Sequence, residues 1–312
     1  MKPLKLLFIT KDFSKHVEKS SFYLQQELSK LTQLMVWSDH GDIRDILRRL
    51  KETPDFILLN DFKPDYTPFI RNLRLSPVPC GAIVHDLHYK IPQRKRFYVQ
   101  EKIHYLFSIY RDAFYRYYPE FRERMIWLPH HIPTTIFKDY GSEKDIDWLM
   151  SGALYPHIYP LRHCMYERLK NHSGFVYVKH PGYKNVDEQT PGVFVGKTYA
   201  MLLNRAKIFL TCDSVEKLPV LKYFESLACG ALLLASESSE LFDLGFIDGE
   251  TFIAVNQDNF MERAEYYLKC EEEREAIARR GMEMVRRRHS TAQRAKELVR
   301  HIRNIVTREK KM

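Results

Sequence analysis

Two side chains three residues apart carry the clearest chemical signal in this sequence. Lys222 and Glu225 stand in the run Leu218-Pro-Val-Leu-Lys-Tyr-Phe-Glu-Ser-Leu-Ala-Cys-Gly-Ala-Leu-Leu-Leu-Ala-Ser236. That spacing puts them on one face of a helix. Val220, Leu221, Phe224, Leu227 and Ala228 form an apolar stripe at helical spacing. Pro219 suits a first helical turn and Gly230 the residue just past a helix end. The run from Ala231 to Ala235 reads as a parallel strand buried on both faces. A base and an acid near a helix start suit an anionic, hydroxyl-bearing ligand such as a nucleotide. The competing reading is an exposed helical ion pair.

The elements that must position this pair alternate along the whole chain. Strands are expected at 4–9, 33–37, 55–60, 81–84, 105–109 and 125–128, with helices at 20–31, 42–51, 66–73, 93–102 and 112–124. Pro129-His-His-Ile-Pro133 then leads into the polar stretch Lys138 to Asp145, and a domain boundary is expected there, giving domains 1–138 and 139–312. A second alternation follows: strands at 147–151, 174–178, 208–212 and 252–254, helices at 160–170 and 199–205, and closing helices at 259–270, 272–287 and 291–307. Such βα alternation implies two open parallel sheets with helices on both faces, and ligands in such folds sit beyond the carboxyl ends of the strands.

Composition narrows the classes. No apolar run approaches the ~20 residues of a membrane span, and the apolar core of the first ten residues is too short for a secretory signal. Five scattered cysteines, without a close pair, argue against a disulfide framework or a cysteine zinc site and for the cytoplasm. The net charge is +9; from Arg286 to Met312 ten Lys and Arg face two Glu, so eight of the nine surplus charges lie in the tail. Such a tail suits a solvated helix face, a peripheral contact with anionic lipid, or nucleic acid. Nucleic acid fits poorly, because no recognised module with interleaved aromatics is present. Thr10-Lys-Asp-Phe-Ser-Lys-His16 replaces any glycine-rich loop after the first strand, and neither a G-x-G-x-x-G, a P-loop nor a G-x-S-x-G elbow occurs.

Lys222-Tyr-Phe-Glu-Ser-Leu-Ala-Cys-Gly230 resembles the [RK]-x-F-E-[AS]-L-A-C-G segment of retaining GT-B glycosyltransferases, nearest to the group 1 branch with the spore-maturation CgeB-like proteins. Asp147-Trp-Leu-Met-Ser-Gly152 with Tyr159-Pro-Leu-Arg162 is similar to that family's second-domain opening, and Arg287-Arg-His-Ser-Thr-Ala-Gln-Arg294 to its closing segment. The resemblance is strongest over residues 140–300. It implies two Rossmann-like domains facing a cleft, a nucleotide-diphosphate sugar (UDP-sugar first) as donor and co-substrate, no cofactor, no metal, and retention at the anomeric carbon. Glu225 would bind the donor ribose and Lys222 its diphosphate. The earlier Glu of many members, with seven residues between the two, falls here on Lys217, with Glu216 one residue off.

The remaining candidates follow from the same frame. Gly152 would let backbone approach a phosphate, and Arg162, in the next helix's first turn, can fork onto phosphate oxygens; a turn glycine and a surface arginine are the plain alternative. His180 follows a strand and can line the nucleotide pocket or simply be solvated. Val84-His-Asp-Leu-His88 resembles the H-D that closes a first-domain strand in the family; His85 would hold a sugar or acceptor hydroxyl, with Asp86 orienting it. A metal on His85, Asp86 and His88 fits no common signature, and a structural loop stays open. Ser290 reads as an N-cap, which gives His289 and Arg294 structural roles. Two other classes stay open: a catalytically silent nucleotide-binding or scaffold protein of this fold, and a nucleic-acid binder using the tail. The acceptor is unspecified.

Overall fold

The computed structural model describes residues 2–186 and 190–311. It divides into two compact units: Met1–Ser14, Lys19–Pro129 and Thr291–Met312 form one, Lys15–Glu18 and His130–Ser290 the other. The chain thus changes unit nine residues ahead of the expected boundary at 138, and its end returns to the first unit.

In the first unit the order is β1 (Lys5–Ile9), α1 (Ser20–Leu31), β2 (Gln33–Trp37), β3 (Gly41–Asp42), α2 (Ile43–Arg49), β4 (Phe56–Leu59), β5 (Ile70–Arg71), β6 (Cys80–Val84), α3 (Ile91–Gln100), β7 (Tyr105–Ser108), α4 (Arg111–Tyr117) and β8 (Met125–Trp127). Its main sheet is parallel, ordered β2-β1-β4-β6-β7-β8, so the order reverses between β1 and β4. Strands β4 and β6 are buried at every position, as central parallel strands must be.

The second unit runs β9 (Ile146–Ser151), α5 (Pro160–Leu169), β10 (Phe175–Val178), α6 (Gly196–Asn204), β11 (Ala206–Leu210), α7 (Lys222–Ala228), β12 (Leu232–Ala235), α8 (Ser239–Leu244), β13 (Ile253–Ala254), α9 (Phe260–Lys269) and α10 (Glu271–Arg288). Its parallel sheet is ordered β10-β9-β11-β12-β13, with the reversal between β9 and β11. The last helix, α11 (Thr291–Glu309), lies on the first unit. Its buried Ala295, Leu298, Val299, Ile302, Ile305 and Val306 join Leu24 and Leu28 of α1 and Leu6 and Phe8 of β1 in one core. Among the described residues no helix is long and apolar enough to cross a membrane.

Three local expectations are corrected, and one helix is added. The helix expected over 66–73 is instead β5 and a 3-10 turn at Leu73–Leu75; Pro68 lacks an N–H and biases the residue before it to extended backbone. The helix expected over 112–124 breaks at Tyr118, before Pro119, and continues as a 3-10 helix. Helix α7 starts at Lys222, three residues after Pro219, because the chain reaches it from a turn in which Lys217 adopts φ +58° and donates its N–H to the Ser214 carbonyl. Helix α8 was not anticipated, although its signals are present: Ser238 caps the Leu241 N–H, and Gly245 follows at φ +97°.

Candidate active site

The second unit's candidate residues gather at the sheet's reversal point, beyond the carboxyl ends of β9 and β11, where open α/β sheets bind ligands. Gly152 leaves β9 at φ +118°, a region that favours glycine. Its N–H donates to the Val178 carbonyl at 3.0 Å, and its own carbonyl accepts from the Tyr177 hydroxyl at 2.7 Å. A Cβ at this position would stand 3.1 Å from Lys222 Cε and 3.2 Å from Arg162 Nη1. Two cations therefore converge on one bare backbone position.

Glu225 is buried, at 9% exposure, one turn along from Lys222. Among the described residues its carboxyl has no hydrogen bond or ion pair, so the exposed helical ion pair considered above is not formed. Burial pushes this carboxyl up to about 7, against the pull of Lys222 and with a further push from Glu18. Burial lowers the Lys222 ammonium, with Arg162 adding to the effect and Glu225 opposing it. His180 is pushed down to about 4 by burial, then by Lys222 and Arg162. The imidazole is neutral at pH 7, and these mutual effects place all four groups in one electrostatic environment. His180 Nδ1 accepts the Gly182 N–H at 3.0 Å, and its ring lies 4.8 Å from that of Tyr183.

Arg162 is buried, and its fork is taken: Nη1 donates to the Ala153 carbonyl, Nη2 to Thr211 Oγ1 and the Cys212 carbonyl, each at 3.1 Å. Its guanidinium lies 4.0 Å from the centroid of the Tyr159 ring. Arg162 thus ties the loop after β9 to the loop after β11 and leaves its charge beside Lys222. In the latter loop Asp213 accepts from Ser236 Oγ at 2.6 Å, and Lys217 Nζ is 3.7 Å from its other oxygen. His289 is buried, its Nε2 2.8 Å from the Leu244 carbonyl and its ring edge-on to Phe224, in keeping with a structural role.

His85 and Asp86 stand at the end of β6 in the first unit. The His85 N–H donates to Asp61 Oδ2 at 2.9 Å, Nε2 lies 3.1 Å from Asn60 Oδ1, and the ring stacks on Tyr66 at 4.3 Å and 4°. Asp86 is paired with Lys63 at 2.7 Å. Burial raises the Asp86 carboxyl, but Lys63, with His85 and His88, brings it net below its ordinary value, so it is ionised. Beneath them Asp61, at φ +138°, meets Arg94 Nη2 at 3.0 Å, both side chains fully buried. Among the described residues no group of three or more His, Cys, Asp or Glu is placed to hold a metal ion.

Sequence reasoning missed Asn60, Asp61, Lys63, Tyr66 and Arg94. One signal was available: a polar Asn-Asp pair directly follows the apolar strand Phe56–Leu59, at its carboxyl end.

Residues 162–300 match the family described as glycosyl transferase-like. No curated protein matches the chain significantly. Among solved structures, Anabaena HepE in complex with UDP-glucose is similar at TM-score 0.63 and 10% identity, covering 96% of this chain and 100% of that one. A glycosyltransferase from Rickettsia africae matches at TM-score 0.64 and 9% identity, covering 98% and 99%. Sucrose-phosphate synthase from Thermosynechococcus elongatus matches at TM-score 0.56 and 11% identity, covering 85% and 76%. The fold is therefore the α/β, parallel-sheet fold of the GT-B glycosyltransferases.

Proposed function

We propose that this protein transfers a sugar from a nucleoside-diphosphate sugar, with UDP-sugar as the first choice, to an acceptor hydroxyl, with retention at the anomeric carbon and without a metal ion. The observation that carries the proposal is the buried, unpartnered Glu225 carboxyl beside Lys222 and Gly152 at the reversal point of the second sheet. The family match over residues 162–300 and the UDP-glucose held by the Anabaena relative support the same reading. The finer placement beside the CgeB-like proteins rests on the Lys222–Gly230 segment alone.

The residues divide the work by chemistry. Glu225 accepts hydrogen bonds from the ribose hydroxyls. Lys222 donates to the diphosphate, which gains negative charge as the glycosidic bond breaks; a fixed cation in a water-poor site lowers that barrier. Arg162 adds field and fixes the two loops, while the neutral His180 adds no competing charge. His85 bonds a sugar or acceptor hydroxyl. The departing phosphate oxygen can take the acceptor's proton, so the ionised, Lys63-paired Asp86 serves as an orienting charge. No cofactor enters the scheme.

Thermal unfolding with a panel of nucleotides, followed by transfer and hydrolysis assays, tests this. UDP at a hundred times its Kd adds about 2.7 kcal/mol of stability, and a UDP-sugar is consumed. Lys217, standing where many relatives carry the earlier Glu, favours a second reading as a silent nucleotide-binding protein; binding without turnover of any sugar nucleotide selects it. No response to any nucleoside diphosphate rejects both.

A further inference from the structure

A chain of four hydrogen bonds at the reversal point of the first sheet fixes where the His85 ring carries its proton. Thr10 Oγ1 donates to the Lys11 carbonyl at 3.0 Å, so toward Asn60, 2.9 Å away, it can only accept. Asn60 therefore turns its Nδ2 to Thr10 and its Oδ1 the other way. Ser21 Oγ donates to that Oδ1 at 3.1 Å, consistent with the same orientation. His85 Nε2 meets the same Oδ1 at 3.1 Å. A carbonyl oxygen only accepts, so Nε2 must carry the hydrogen, and in the neutral form of the ring the lone pair is then on Nδ1.

We infer that Asn60 is the positioning residue for His85: it makes Nε2 the donating nitrogen of the ring, holding the Nε2–H tautomer in which Nδ1 is the accepting one. Its neighbour Asp61 fixes the same residue by the backbone, accepting the His85 N–H at 2.9 Å, while Tyr66 holds the ring face. Edge, face and backbone are all constrained, which is how a site keeps one tautomer and one ring angle. Asn60 is wholly buried, so its amide is shielded from competing water. The bearing of this tautomer on sugar transfer rests on the function proposed above; the tautomer itself does not.

Nitrogen-15 NMR of the full chain with labelled histidine tests the inference without any substrate. The His85 signals are assigned by their loss in His85→Gln. The expected spectrum has a protonated Nε2 and an unprotonated Nδ1. Ser21→Ala leaves this unchanged, Asn60→Leu gives a mixture or the opposite tautomer, and Asn60→Asp, which retains an acceptor, keeps Nε2 protonated. If Asn60→Leu does not fold, the parent and Asn60→Asp spectra still decide. A parent His85 protonated at Nδ1, or an unchanged tautomer in folded Asn60→Leu, overturns the inference. In the transfer assay Asn60→Leu should lose at least about tenfold in kcat/KM, the worth of one hydrogen bond, with Asn60→Asp recovering part of it. If the tautomer is as stated but no sugar nucleotide is turned over, the functional reading fails and the tautomer assignment stands.

Discussion

Lys222 and Glu225 share one turn of α7 without bonding to each other, and the acid is the more deeply buried of the two. A carboxyl in that position costs stability whenever it is ionised. Ribose hydroxyls would satisfy it.

On the proposed function, Glu225 trades stability for binding. Its carboxyl is raised from 4.5 to about 7 in the folded chain. A group raised in this way stabilises the fold below its unfolded pKa, and that contribution is lost as pH rises through the folded one. Glu225→Gln should be more stable than the parent at pH 8 by about 1–3 kcal/mol, with the gap closing toward pH 4.5. The same variant should bind UDP-glucose at least about tenfold more weakly. Denaturant titrations and calorimetry read the two effects; equal affinity in the variant removes Glu225 from the site.

The same titration should appear in binding. If the ribose is accepted by the carboxylate, UDP-glucose affinity falls roughly tenfold from pH 8 to pH 6. UDP-glucose is the suitable probe because its diphosphate has no proton to lose in this range. His180, titrating near 4, stays neutral throughout. Glu225→Gln should flatten the profile; a flat profile in the parent shows that Glu225 is already ionised or idle.

Gly152 carries two burdens that can be separated. At φ +118° any side chain is strained, and a Cβ would press on Lys222 Cε and Arg162 Nη1. Gly141, at φ +69° with nothing within 4 Å of a Cβ, carries only the first. Both alanine variants should lose stability, on the order of 1–3 kcal/mol. Only Gly152→Ala should weaken UDP-glucose binding as well. Equal affinities would mean that Lys222 does not reach the ligand.

How much of this was legible in the sequence depended on range. Elements with strong local patterns, such as Ser20–Leu31 and Gln33–Trp37, lie where periodicity puts them, because an apolar face has one way to be buried. Lys222, Glu225 and Gly152 were visible as chemistry because each has a distinctive local setting. Arg162 was visible, but its carbonyl partners come from the loops after two different strands, so its use could not be read locally. Asn60 and Asp61 escaped for the same reason: their partners lie 25 and 24 residues away in the chain at His85 and meet them only through parallel pairing of β4 with β6.

The last prediction concerns α11. Its charges suit a solvated helix face or a docking tail, and its apolar side is buried as a fold-forming helix requires: Leu298 and Ile302 are fully buried against α1 and β1, while Arg300 and Arg308 point outward. Truncating such core side chains removes transfer energy and leaves a cavity, so Leu298→Ala or Ile302→Ala should cost about 2–5 kcal/mol. Arg300→Gln and Arg308→Gln should stay within about 0.5 kcal/mol of the parent, as surface changes do. Because α11 follows the second unit in sequence but packs in the core of the first, removing residues after Ser290 strips that core of one wall and should abolish cooperative unfolding of the first unit. Vesicles of anionic lipid supply the opposing outcome. If the two glutamine variants keep full stability but lose vesicle binding that the parent shows, the exposed face of α11 is a docking surface as well as the back of a core helix.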